Sequence, residues 1–231
     1  MSAEMLREIT AAAAWFDAQP EVRVVVVHGA GRVFSAGADL SLIAGMGERD
    51  NDADPRTRAD LGLRMADAVE GVRAVTVAAI HGWCVGGALV VAAACDLRVA
   101  ADDTRFSIPE VDLGIPLAWG GIPRLVREIG PAFTKELVMT GRPFDAAEAK
   151  AAGFVNRLVS AEQVLDEANN LAEQVAAKAW LSVSSTKRHV NAVTGQMVGI
   201  DRSWSDADGL LAGMADPECQ QLRQSYLDGR N

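Results

Sequence analysis

Three places in this 231-residue sequence combine residue types that can do chemistry. The first is the glycine-rich stretch His28 to Asp39, directly after the β-branched run Val22 to Val27. The second is His81-Gly82 with Gly86-Gly87, after Ala74 to Ile80, and the third is Pro109-Glu110, where a Pro- and Gly-rich stretch begins that runs to Gly121. Glycine lets backbone N–H groups approach a ligand with no Cβ in the way. Gly87 also opens an Ala-rich segment, so its amide belongs to the positive end of a helix, where negative charge is stabilised. A glutamate can take up and return a proton, although the surface is its usual place.

Several other chemistries are disfavoured by the same residues. The first loop reads Gly29-x-Gly31-x-x-Phe34 and lacks the third glycine of a dinucleotide fingerprint. His28, His81 and His189 are present, but no serine stands in a G-x-S-x-G elbow. Cys84, Cys95 and Cys219 form no C-x-x-C pair, and an odd number closes no disulfide framework, so no metal site is expected and a reducing compartment is.

The elements that must position these groups follow from periodicity. Met5, Leu6, Ile9, Ala13 and Phe16 recur at spacings of three and four, which predicts a helix over 3–16 that stops before Pro20. Val22 to Val27 and Ala74 to Ile80 predict two strands buried on both faces, Gly87 to Ala94 a helix, and Leu97 to Ala100 and Arg105 to Ile108 two short strands. Glu48 to Asp60 is acidic, holds a proline and has no apolar period, which predicts a surface loop running into a helix that ends near Gly71. From Ile122 onward the period is helical almost throughout, with Val164, Leu165, Ala168, Leu171, Ala172 and Val175 on one face and Asp145 and Ser160 at N-cap positions. An α/β core over 1–129 and a helical region over 130–231 are therefore expected.

Hydrophobic residues make up 49% of the chain and charged residues 23%, ordinary values for a globular protein with a core of its own. The net charge of -9 argues against nucleic acid and acidic membrane surfaces as partners. No apolar run is long enough for a transmembrane helix, and the start MSAEMLREIT lacks a signal-peptide core, so a cytoplasmic protein is expected.

Gly31 to Leu40 (GRVFSAGADL), His81 to Asp96 (HGWCVGGALVVAAACD), Phe106 to Leu125 (FSIPEVDLGIPLAWGGIPRL), Leu137 to Val159 (LVMTGRPFDAAEAKAAGFVNRLV) and Asp216 to Arg230 (DPECQQLRQSYLDGR) stand in one order along nearly the whole chain. Together they resemble the enoyl-CoA hydratase/isomerase, or crotonase, superfamily. The resemblance implies an α/β fold built as a spiral of ββα turns with a helical C-terminal trimerisation region, assembled as a trimer or hexamer. It implies an acyl-CoA thioester as substrate, with coenzyme A part of that substrate and no separate cofactor. The two N–H groups of the oxyanion hole would be those of Ala38 and Gly87, and the catalytic carboxylate Glu110. Arg32 would lie near the CoA phosphates and Lys187 would face a neighbouring subunit's nucleotide, while Ala36, Gly86, Val90 and Trp119 would line the substrate site. Asp39 reads as the cap of a helix beginning near Leu40.

Two departures bear on the reaction. Hydratases of the family grip a water between two glutamates, and the first of those positions is Val90 here; the second is Glu110. Some dienoyl isomerases of the family carry E-V-D as this chain does at Glu110 to Asp112, but their other aspartate falls at Ala118. One glutamate suffices to move a double bond, so an enoyl-CoA isomerase is expected, with a hydratase or a non-catalytic acyl-CoA binder as alternatives. The chain also begins within what resembles the family's first segment, so an incomplete first sheet is expected.

Overall fold

The computed structural model describes residues 1–39, 54–203 and 205–229. The first helix, α1 (Ala3–Asp17), starts where Ser2 Oγ accepts a hydrogen bond from Met5 N at 3.2 Å. It packs on α3 (Leu61–Gly71), which follows the short α2 (Pro55–Ala59). Part of the acidic loop expected over 48–60 is thus helical: Asp54 Oδ2 accepts from Thr57 N at 3.3 Å and Pro55 takes the first helical turn, where its missing N–H costs nothing. The helix expected near Leu40 lies outside the described residues.

Strands β1 (Val24–His28), β2 (Val75–Ile80), β4 (Leu97–Ala101) and β7 (Arg157–Val159) form a four-stranded parallel sheet in the order β1-β2-β4-β7. All six residues of β2 are buried, and alternate side chains serve opposite faces. Val77 and Ala79 meet Val164, Ala168 and Leu171 of α7 (Val164–Ala176), while Ala78 and Ile80 join the main core. β1 is only half-buried rather than covered on both faces, and among the described residues it stands at the edge of the sheet. The second sheet joins β3 (Trp83–Val85) and β5 (Arg105–Ser107) in parallel and adds β6 (Phe144–Asp145) antiparallel to β5.

Packed on one another are α4 (Gly87–Ala94), with all eight residues buried, and α5 (Gly121–Thr140), which breaks at Gly130 (φ 74°) before Pro131. α5 thus spans both sides of the boundary expected at residue 129, and the region beyond it is not purely helical. β6 and β7 lie beyond the boundary and each pairs with a strand from before it, because Phe144 and the Arg157-Leu158-Val159 run supply side chains that a sheet edge can take. Asp145 caps α6 (Ala146–Ala151) by accepting from Glu148 N at 2.8 Å, whereas Ser160 precedes a single 3₁₀ turn without such a bond. The chain ends in α8 (Trp180–Met197), α9 (Asp206–Ala215) and α10 (Pro217–Asp228). Among the described residues no helix is long and apolar enough to cross a membrane.

Candidate active site

Strand pairing brings the two glycine loops together. Phe34 N donates to His81 O at 2.8 Å, Ser35 N to Trp83 O at 3.1 Å and Val85 N to Ser35 O at 3.1 Å, so the first loop runs beside β3 with Ser35 opposite Cys84 in parallel register. Three residues on from that pair stand Ala38 on one segment and Gly87 on the other. Gly37 makes the close passage possible. Its φ is 89°, and a Cβ there would lie 2.6 Å from Val85 O. Gly86 N is spent on Ser107 O at 2.8 Å, but neither Ala38 N–H nor Gly87 N–H donates to another described residue. Gly87 N–H is one of the free amides at the start of α4.

The third motif arrives by the same logic. β5 pairs with β3 with Ser107 opposite Val85, and the chain then turns through a 3₁₀ turn at Pro109–Val111. This carries Glu110 against the Gly86 peptide, where a Cβ on Gly86 would lie 2.5 Å from Glu110 Oε1. Glu110 as a whole residue is partly exposed, yet its Oε2 is out of reach of solvent and has no hydrogen-bond partner among the described residues. Burial pushes its pKa up to about 7, offset only in part by its own backbone N–H.

A cavity of about 660 Å³ joins these groups. Ala36, Ala38, Gly86, Gly87, Val90, Glu110 and Trp119 all line it, so seven of the nine residues expected at the site share one space. Val90 is 1% exposed and points its Cγ2 at the start of α5, 3.0 Å from where a Cβ on Gly121 would be. Arg32 is exposed and precedes Val33, which does line the cavity. Asp112 also lines it, beside Gly141, and Asp39 is exposed at the last described residue of its loop.

Lys187 is a correction. Its Nζ donates to Val72 O at 2.7 Å, Ala74 O at 2.8 Å and Asp96 Oδ2 at 2.6 Å, all in its own chain, so its three donors are used in tethering α8 to the edges of α3 and β2. It is not a cation held ready for a nucleotide. Sequence reasoning also missed Leu210 of α9 and Tyr226 of α10, which line the cavity from helices read only as an assembly region. It missed Gly62 too, whose role depends on a residue 57 positions away. Among the described residues no cluster of His, Cys, Asp or Glu could hold a metal ion.

Backbone N–H groups left free on one cavity wall can stabilise negative charge on a carbonyl oxygen, and a buried carboxylate with a raised pKa can move a proton beside it. A probable enoyl-CoA hydratase of Mycobacterium leprae is 36% identical over 192 residues, spanning 83% of this chain and 72% of that protein. The peroxisomal Delta(3,5)-Delta(2,4)-dienoyl-CoA isomerase of Arabidopsis thaliana is 34% identical over 196 residues, spanning 81% and 70%. A crystal structure of an enoyl-CoA hydratase/isomerase from Xanthobacter autotrophicus Py2 superposes with a TM-score of 0.85 at 28% identity, covering 100% of this chain and 90% of that one. The family model described as Enoyl-CoA hydratase/isomerase matches residues 1–230, and with the α/β crotonase fold in place the chain is a member of the enoyl-CoA hydratase/isomerase family.

Proposed function

We propose that this family enzyme is an enoyl-CoA isomerase that moves a double bond from the β,γ to the α,β position with one carboxylate. The observation that carries the reading is Glu110, whose Oε2 is buried without a hydrogen-bond partner among the described residues beside the Gly86-Gly87 turn, with apolar Val90 where a second acid would have to stand. The thioester carbonyl oxygen accepts from Ala38 N–H and Gly87 N–H. Glu110 removes a proton from C2 of the 3-enoyl thioester, and the released electron pair delocalises over C2, C3 and C4 and onto the carbonyl oxygen, where the two N–H groups hold the charge. The carboxylic acid so formed returns the proton at C4, which leaves the double bond between C2 and C3 and regenerates the carboxylate. No water enters the balance. The coenzyme's phosphates would meet Arg32 at the outer end, and Ala36 leaves room for the pantetheine arm.

Hydration is the second reading, favoured by the M. leprae relative's name. It needs a water held on both sides, and losing one acid/base group typically costs about 10²–10⁴ in rate. Parallel assays of 3-enoyl-CoA isomerisation and 2-enoyl-CoA hydration separate the two. Isomerisation should dominate, and Glu110→Gln should abolish turnover while acyl-CoA still binds. Hydration faster than isomerisation by the parent enzyme would overturn the proposal. Binding of acyl-CoA without turnover of any thioester would leave a binding protein instead. The family resemblance further supports a homotrimer or hexamer.

A further inference from the structure

Trp119 stands in a conformation that its side chain does not favour. Its φ is 62°, the one non-glycine residue with positive φ among the described residues, and Gly120 after it has φ 67°. The indole fills the space between two glycines. A Cβ on Gly62 of α3 would lie 2.0 Å from indole Cδ2, and a Cβ on Gly87 would lie 2.1 Å from indole Cζ3. The ring therefore closes the gap between α3 and the start of α4, with its six-membered edge on the residue whose N–H serves as an oxyanion donor.

This strained turn is held from behind. Arg124 is completely buried; its Nη1 donates to Trp119 O and Gly120 O, both at 3.3 Å, and its Nη2 donates to Asp67 Oδ1 at 2.8 Å and Glu70 Oε2 at 2.6 Å. Gly120 N donates to Asp206 Oδ2 at 2.8 Å. Two carboxylates of α3 thus anchor the cation behind the turn, and a carboxylate of α9 holds the turn's own backbone, so the indole is a fixed wall rather than a side chain that swings aside. Leu117, Ile115 and Leu210 complete an apolar lining around it.

We propose that Trp119, wedged between Gly62 and Gly87 and fixed by Arg124, sets the size of the acyl group that this cavity accepts. The inference rests on the acyl-thioester reading of the site and adds a specificity determinant to it. Two glycines facing one indole leave room for the ring and nothing else, so an acyl chain that needs the gap between α3 and α4 is excluded. Shortening residue 119 opens that gap as an extension of the apolar wall.

Calorimetric titration with saturated straight-chain acyl-CoAs of increasing length tests this without needing turnover. Each methylene that finds apolar cover should raise affinity about fourfold, the equivalent of ~0.8 kcal/mol. For the parent this gain should stop at a definite chain length. In Trp119→Phe and further in Trp119→Ala the stop should move to longer chains, by at least about two methylenes in Trp119→Ala on the same scale. Trp119→Gly, which suits the left-handed turn, should do the same, and thermal melts establish that each variant is folded. Where the small replacements fail to fold, Trp119→Phe carries the test. Folded variants with the parent's length profile overturn the inference, even if the parent isomerises 3-enoyl-CoA. A parent that binds saturated acyl-CoA and isomerises nothing overturns the isomerase reading alone, and the length profile then decides on Trp119. A parent that binds no acyl-CoA overturns both.

Discussion

Glu110 holds its proton more tightly in the folded chain than in the unfolded one, because desolvation penalises its charged form and no donor from another residue repays that penalty. Its pKa rises from an ordinary 4.5 to about 7, so the two states bind the same number of protons below the lower value and again above the higher one. Between them the folded state holds more protons, and stability falls as pH rises. The destabilisation is complete above about 7 and amounts to about 3 kcal/mol at most. Glu110→Gln should therefore stabilise the protein against urea at pH 8 and change little at pH 4, with the difference developing between those limits. Activity should run the other way, since the carboxylate is the base: kcat/KM should rise through about pH 7 to a plateau. A profile that is flat from pH 5 to 9 would remove Glu110 as the proton carrier.

Elements decide what surrounds that carboxylate, and here the helix starts matter most. Position 90 lies one turn into α4, and its side chain abuts the first residue of α5. Val90→Glu would place a second carboxylate on the cavity wall near Glu110 and near the positive end of the α5 dipole, which favours negative charge. Mutual repulsion should drive the two pKa values apart and supply the acid and base that water addition needs. Hydratase activity should appear or grow, at a stability cost of about 1–3 kcal/mol for the buried polar group. A folded variant that binds enoyl-CoA but hydrates it no faster than the parent would show that the missing glutamate is not what limits hydration. Much of this arrangement was legible from residue types. Glycines at 37, 86 and 87 and the β-branched runs before them announce close backbone approach after a strand, and the buried β2 and α4 follow from composition alone. What could not be read depends on partners distant along the chain. Nothing local marks Trp119 for a left-handed turn, Gly62 for its indole, or Lys187 for Asp96, 91 residues away.

At the scale of the whole molecule, one chain leaves its C-terminal helices short of cover. α8 runs for 18 residues without a buried side chain, and Leu181 and Met197 are each 75% exposed, with Val190 and Val193 also open. Lys187 with its three acceptors, and the Arg73 guanidinium over the Trp180 ring, hold this helix to the body. Beside it a groove of about 790 Å³ runs along Val75, Leu97, Leu171, Val175, Val183 and Val190. Exposed apolar surface of this kind on an ordered helix is what an oligomer interface would cover, as the proposed homotrimer or hexamer requires. Burying a side chain such as Leu181 contributes about 1.5–3 kcal/mol, and a closed assembly repeats that gain at every interface. Light scattering at micromolar concentration should accordingly give a trimer or hexamer. Leu181→Glu together with Met197→Glu should shift the mass toward the monomer while circular dichroism stays that of the parent, because neither side chain is buried within its own chain. A monomeric parent under these conditions would overturn the expectation, and so would a double variant that assembles as the parent does.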